Sequence, residues 1–186
     1  MKKDILSFAD MTASDLNELF ELSKKLKKHR ISSALTGKVL ALIFEKPSLR
    51  TRFTFETGMF ELGGHAIYLA PQDIGLGKRE SVPDVARNLS TWAAGIMART
   101  FEHTTITELA QYANIPVING LSDLEHPCQV LADMFTIWEK RGDFSGLKLA
   151  WVGDGNNVCN SLILASKILG FSMSIATPKG YEPRLK

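Results

Sequence analysis

VLALIFEKPSLRTRFTFE, residues Val39 to Glu56, changes character halfway along. An apolar run from Val39 to Phe44 gives way at Glu45-Lys46-Pro47 to Ser48, Arg50, Thr51, Arg52 and Thr54. The run predicts a buried strand over 38–44. The residues beyond Pro47 predict a helix over 48–62, stopped by Gly63-Gly64. A helix beginning here turns its free N–H groups and positive dipole end toward whatever lies past the strand. Ser48 and Thr51, three apart, place both hydroxyls on nearly one face. Arg50 and Arg52, two apart, point in different directions; Arg50 joins the hydroxyls, while Arg52 meets Glu56 four residues on. Taken alone, the cluster is either a capped, solvated helix start or a seat for a dianion.

Outward from this stretch the same alternation continues. Thr12 to Lys28 predicts a helix, with Thr12 and Asp15 as a capping pair and Leu16, Leu19, Phe20 and Leu26 at helical spacing. Its basic tail, Lys24 to Arg30, reads as a solvated helix end favoured by the dipole. Strands are predicted at 65–70, 95–99, 115–119, 147–152 and 171–176. Helices are predicted from Ser81, with Pro83 and Asp84 in the first turn, and at 105–114, 127–140 and 157–169. Pro71 to Glu80 reads as a polar, glycine-containing loop. Alternating short apolar strands and amphipathic helices predict an α/β fold with mainly parallel sheets. Ligands of such sheets sit at the carboxyl ends of strands. The unit at 147–176 is thin for an independent core, so it either opens a second domain or completes the first.

Composition narrows the function. The chain has 186 residues, 45% hydrophobic and 23% charged, with a net charge of +2. That is ordinary globular composition with no general case for nucleic-acid or membrane-surface binding, so an anion site must be local. Two cysteines, Cys128 and Cys159, form no disulfide framework and fit a reduced, cytoplasmic setting. The first residues lack the apolar stretch of a signal peptide, and no apolar run approaches the length that spans a bilayer.

Three further clusters bear chemistry. Met97-Ala98-Arg99-Thr100 puts a cation at the end of an apolar strand. In Leu121-Ser-Asp-Leu-Glu-His-Pro-Cys-Gln129, Pro127 suits a first helical turn, placing His126 at the cap and Gln129 in the same turn. A histidine there is a structural cap or a ligand donor; Cys128 is a small buried residue or a nucleophile. His29, His65, His103 and His126 have no metal-ligand spacing. Gly153-Asp-Gly155 imitates part of a dinucleotide fingerprint, but Val158 stands at the third glycine position.

Together and in this order, these segments resemble the aspartate/ornithine carbamoyltransferase family. Ser48-Leu-Arg-Thr-Arg52 is similar to its Ser-x-Arg-Thr-Arg carbamoyl phosphate signature, followed by Phe53-Thr-Phe-Glu56. Met97-Ala-Arg-Thr100 and His126-Pro-Cys-Gln129 match two further elements. Gly153-Asp-Gly-Asn-Asn157 and Ala176-Thr-Pro-Lys-Gly-Tyr-Glu-Pro183 resemble the ornithine branch.

The resemblance implies a parallel-sheet carbamoyl phosphate domain with helices on both faces, at 1–140, and the start of a second, Rossmann-like α/β domain for ornithine at 141–186. It implies that Ser48, Arg50 and Thr51, with backbone N–H groups including that of Leu49, hold the phosphate of carbamoyl phosphate. Arg99 would reach phosphate and carbonyl oxygen, His126 would donate to that oxygen, and Gln129 would hold the carbamoyl amide. Pro127 and Cys128 would shape the loop, and Asn157 would meet the amino-acid part of L-ornithine. No metal or organic cofactor is implied; a homotrimer or a multiple of trimers is.

Three departures stand out. Leu49 replaces the family's usual threonine. Gly75 stands where many members have glutamine, and Gln72 is no obvious replacement. The family's second ornithine loop, its His-Cys-Leu-Pro segment and a late arginine do not occur in these residues, and Arg184-Leu-Lys186 departs from the acidic continuation expected. The sequence therefore reads as an amino-terminal portion, inactive on its own.

Overall fold

The computed structural model describes residues 4–184. A single 3-10 turn, Phe8–Asp10, precedes α1 (Ala13–Lys28), β1 (Val39–Phe44), α2 (Leu49–Glu61), β2 (His65–Leu69), α3 (Pro71–Ile74) and α4 (Val82–Trp92). Then come β3 (Gly95–Arg99), α5 (His103–Tyr112), β4 (Val117–Leu121), α6 (Pro127–Arg141), β5 (Lys148–Val152), α7 (Asn157–Leu169) and β6 (Ser172–Ala176).

β1 to β4 form a four-stranded sheet in the order β2-β1-β3-β4, all neighbours parallel. Strand alternation divides its core between two faces. Ala41, Ile43, Ile96 and Ala98 pack with Val82, Val85 and Ala86 of α4 and Ile106 and Leu109 of α5. Leu40, Leu42, Phe44 and Met97 point the other way, onto Met59 and Phe55 of α2. Burial on both faces is why β1 reads as an unbroken apolar run rather than an alternating one. Each such Leu, Ile, Phe or Met contributes about 1.5–3 kcal/mol by leaving water.

β5 and β6 form a separate parallel pair joined by α7. Their core is shared: Leu162, Ala165 and Phe171 pack with Phe8, Leu16, Phe20, Val130 and Met134 from the earlier elements. Thr12 and Asp15 make the reciprocal capping box expected of them. The basic end of α1 lies over α6, with Lys27 ion-paired to Glu139 at 2.8 Å and Lys24 above the Trp138 ring.

Most element boundaries fall within a residue or two of the sequence reading. Two shifts have clear causes. The helix expected at 105–114 runs from His103 to Tyr112, because the Asp123 carboxylate accepts the His103 N–H and gives the first turn a partner from a distant loop. The strand expected at 115–119 is Val117–Leu121, starting after Pro116, which has no N–H to give a ladder. The stretch 71–80, expected to be loop, contains the helical turn α3. Its cap is Asp73, which accepts the Ala70 N–H at 2.9 Å. Four residues are too few for periodicity to register. α3 ends at Gly75, at φ +59°, where an added Cβ would lie 2.8 Å from Arg79 Cβ. A glutamine cannot stand there without remodelling the turn.

The sheet order fixes where a ligand belongs. The chain leaves β1 by α2 to one side and returns to β3 on the other, so the order reverses between β1 and β3. Crevices at that reversal, outside the carboxyl ends of the strands, are the ligand positions of open parallel sheets. Ser48 follows β1 and Arg99 ends β3.

Candidate active site

At the end of β1, Ser48 leaves the strand with extended backbone and caps α2. Its Oγ accepts the Thr51 N–H at 3.3 Å and donates to Thr51 Oγ1 at 3.0 Å. The N–H groups of Leu49 and Arg50 have no acceptor inside the helix, as its geometry requires. Leu49 is 81% exposed. Arg50 is exposed at the helix start. Arg52 turns away: it pairs with Glu56 at 2.8 Å and lies over the Tyr68 ring at 3.8 Å.

From β3, the half-buried Arg99 brings Nη1 within 3.5 Å of Thr51 Oγ1. Its Nε is buried without a partner among the described residues. Burial first, and then the charge of Arg50, lower the Arg99 guanidinium from its ordinary value. From the loop after β4, His126 stands at the start of α6. Its side chain makes no capping bond, and Nδ1 is buried without a partner among the described residues. The structural-cap reading of this histidine therefore fails. Burial, and then the Arg99 charge, bring its pKa down to about 4. The ring is neutral at pH 7.

A cluster of cations and hydroxyls with two unpaired buried nitrogens is unstable as a purely structural feature. Each unpaired buried polar group costs about 1–3 kcal/mol, and a bound oxyanion would satisfy both. No carboxylate is hydrogen-bonded or ion-paired to Arg50 or Arg99 among the described residues.

Other expected site residues are placed differently. Gln129 is exposed, its Nε2 bonded to Asp133 Oδ1 at 3.0 Å along α6 rather than turned toward Arg99. Pro127 is buried in the first turn of α6. Cys128 Sγ points back to the Asn119 carbonyl at 3.4 Å, and burial pushes its thiol up to about 12, which rules out a thiolate nucleophile at neutral pH. Asn157 Nδ2 donates to the Ser122 carbonyl at 2.7 Å, so α7 is tied to the loop that carries His126.

The glycine loop before α7 is no phosphate cradle. The Gly155 N–H donates to the Tyr181 carbonyl, and an added Cβ on Gly155 would stand 2.3 Å from Pro183 N. Asn156 caps the helix itself, accepting from the N–H groups of Val158 and Cys159. The glycine serves close backbone packing of the 181–183 segment.

Several polar residues around the site escaped the sequence reading. Asn160 Nδ2 donates to the Leu124 carbonyl, Ser161 Oγ to Glu125, and Arg184 to Asp123 at 2.7 Å. Asn157, Asn160 and Ser161 form an i, i+3, i+4 polar stripe on a mostly apolar helix, and that is the available signal. An apolar cavity of about 830 Å³ lies at the opposite end of the sheet, lined by Leu40, Phe55, Met59, Leu62 and Pro116, and is not part of this site.

Comparison with known proteins places the whole chain in one family. The family description "Aspartate/ornithine carbamoyltransferase, carbamoyl-P binding domain" matches residues 3–139, and "Aspartate/ornithine carbamoyltransferase, Asp/Orn binding domain" matches residues 145–186. The ornithine carbamoyltransferase of Methanocorpusculum labreanum is 53% identical over 98% of this chain and 61% of its own length. That of Archaeoglobus fulgidus is 52% identical over 97% of this chain and 60% of its own. Among solved structures, ornithine carbamoyltransferase from Thermus thermophilus superposes with a TM-score of 0.94 at 50% identity, covering 100% of this chain and 65% of that one. The enzyme from Pyrococcus furiosus gives 0.95 at 49%, covering 97% and 59%. The chain thus spans about three fifths of the length of the relatives it matches. No helix among the described residues is long and apolar enough to cross a membrane. With a matched carbamoyl phosphate domain over most of its length, the chain belongs to the aspartate/ornithine carbamoyltransferase family.

Proposed function

We propose that the full-length protein transfers the carbamoyl group of carbamoyl phosphate to the δ-amine of L-ornithine, giving citrulline and phosphate in arginine metabolism. The observation that carries this is the meeting of Ser48, Thr51 and Arg99, beside His126, at one strand-end crevice, with Arg99 Nε and His126 Nδ1 unpaired. In this reading residues 1–140 bind carbamoyl phosphate and 141–186 begin the ornithine-binding part.

Ser48, Thr51, Arg50 and the first N–H groups of α2 take the phosphate oxygens. Arg99 bridges phosphate and carbonyl oxygen. His126, neutral because burial and Arg99 hold its pKa at about 4, donates a ring N–H to that carbonyl oxygen. The amine nitrogen of ornithine attacks the carbamoyl carbon, the carbon–oxygen bond to phosphate breaks, and the amine proton passes to the departing phosphate. Negative charge grows on the carbonyl and leaving oxygens, where fixed donors stabilise it most; removing one such donor costs about 3 kcal/mol, roughly a hundredfold in rate. Gln129 reaches the carbamoyl amide by leaving Asp133, a side-chain rotation on an exposed helix face. Asn157 has its amide nitrogen on Ser122, which leaves its oxygen to accept from the ornithine ammonium.

We place this activity in the cytoplasm, in a homotrimer or multiple of trimers, with no metal or organic cofactor. The test is citrulline formation by the full-length protein, with a panel of amines including putrescine and acylated ornithine as competitors for the acceptor role. Turnover with ornithine alone supports the assignment; turnover with another amine alone overturns the acceptor. The 186-residue chain by itself is expected to bind carbamoyl phosphate in a calorimeter without forming citrulline.

A further inference from the structure

We propose that Glu125 is a positioning residue, which acts through the hydroxyl of Ser161 to fix the main chain of His126 and so hold its imidazole against Arg99. The inference rests on the reading of His126 as a site residue.

Glu125 is 2% exposed, an unusual place for a carboxylate. It accepts from three groups on two elements remote in sequence. Oε1 takes the Ser7 hydroxyl. Oε2 takes the Phe8 N–H at 3.1 Å and the Ser161 hydroxyl at 3.2 Å. A carboxylate has no proton to give, so both serine hydroxyls must donate inward and present their lone pairs outward. Those lone pairs are used. Ser7 Oγ accepts the Ala9 N–H at 2.9 Å, starting the 3-10 turn. Ser161 Oγ accepts the His126 N–H at 3.0 Å, at the start of α6. One buried carboxylate thereby sets the polarity of two hydroxyls, and one of them holds the residue whose ring faces the crevice.

The link also joins the two matched regions. Ser161 lies on α7, in the Asp/Orn match, whereas Glu125 and His126 lie in the carbamoyl-P match. Asn157 on Ser122 and Asn160 on Leu124 brace the same loop from the same helix, so α7 acts as the rigid backing of the histidine.

His126 reports on the arrangement directly. Its pKa of about 4, against an ordinary 6.5, exists because the ring is held buried and beside Arg99, with Arg50 the next cation beyond. The measurement is the pH titration of the His126 ring resonances by NMR in the ligand-free chain, assigned by their loss in His126→Gln. No carbamoyl phosphate is present, so the result is independent of whether that ligand binds. Ser161→Ala is expected to raise the midpoint by about 1 pH unit or more, as the freed ring moves toward solvent. Glu125→Ala is expected to do the same, although loss of its negative charge alone would lower the midpoint. Ser7→Ala, which strips the other hydroxyl from the same carboxylate, is expected to leave His126 where it was. If Glu125→Ala does not fold, Ser161→Ala carries the test. A His126 midpoint unchanged or lowered in Ser161→Ala, or raised equally in Ser7→Ala, overturns the proposal.

Discussion

Arg99 Nη1, at the end of β3, lies 3.5 Å from Thr51 Oγ1, in the first turn of α2, although the two residues are 48 apart in sequence. Their meeting joins a helix cap and a strand-end cation in one surface at the carboxyl end of the sheet.

Arg50 and Arg52 are expected to behave as opposites. Arg50→Ala should abolish carbamoyl phosphate binding, read by calorimetry; an unchanged binding heat would remove Arg50 from the site. Arg52→Ala should leave affinity within about twofold and cost on the order of 1 kcal/mol in denaturant unfolding. Its partners are a partly exposed i,i+4 pair and one aromatic face, both worth little in water.

Stability should fall as the solution is acidified, through His126. The folded ring has its pKa lowered to about 4 from 6.5, so the unfolded chain takes up a proton that the folded chain refuses. The contribution is complete above about pH 6.5, declines as pH falls toward 4, and changes no further below it. For a half-buried ring partly screened by solvent it amounts to about 1–2 kcal/mol. Urea unfolding of the chain and of His126→Gln at several pH values isolates it. Identical pH slopes in the two proteins would contradict the assignment.

Cys128 should resist alkylation. With its thiol pushed up to about 12 and turned to the Asn119 carbonyl, iodoacetamide at pH 8 should modify it only as fast as the chain opens. Mass spectrometry of a timed reaction, with and without denaturant, makes the comparison.

Gly155→Ala should loosen the segment at 181–183. The new Cβ would sit 2.3 Å from Pro183 N and 2.7 Å from the Glu182 carbonyl carbon, contacts that backbone atoms cannot yield without moving. A loss of about 1–3 kcal/mol and faster proteolysis after Arg184 are expected. Gly180, where an added Cβ meets nothing within 4 Å, is an unsuitable control because of its φ of +88°; Gly58, inside α2 with equally open surroundings, is the better one.

The local features were legible because they depend on short spacings. Thr12 with Asp15, Ser48 with Thr51, and Arg52 with Glu56 meet at i, i+3 or i, i+4, distances that helix geometry sets without reference to the rest of the chain. The same rule pairs Gln129 with Asp133 and sets Gln129 aside from the crevice, a conflict between local and ligand contacts that the motif alone did not reveal. The short helix α3 and the His103 start were hidden for complementary reasons: one is too brief for a period, and the other draws its capping carboxylate from residue 123.

The sequence by itself determined the α/β class, the strand-to-helix turn at Ser48, the family and the side chains available for an anion. Only the tertiary structure decided that Arg99 would reach Thr51, that α7 would back the loop of His126, and that Glu125 would be buried among two serines and a backbone N–H. The division has a physical cause. Apolar burial drives each strand and helix inward but is non-directional, so a pattern says which residues go inside and not which neighbours they meet. Those neighbours follow from the strand order β2-β1-β3-β4 and from the shared core of α1, α6 and α7, properties of the packed whole.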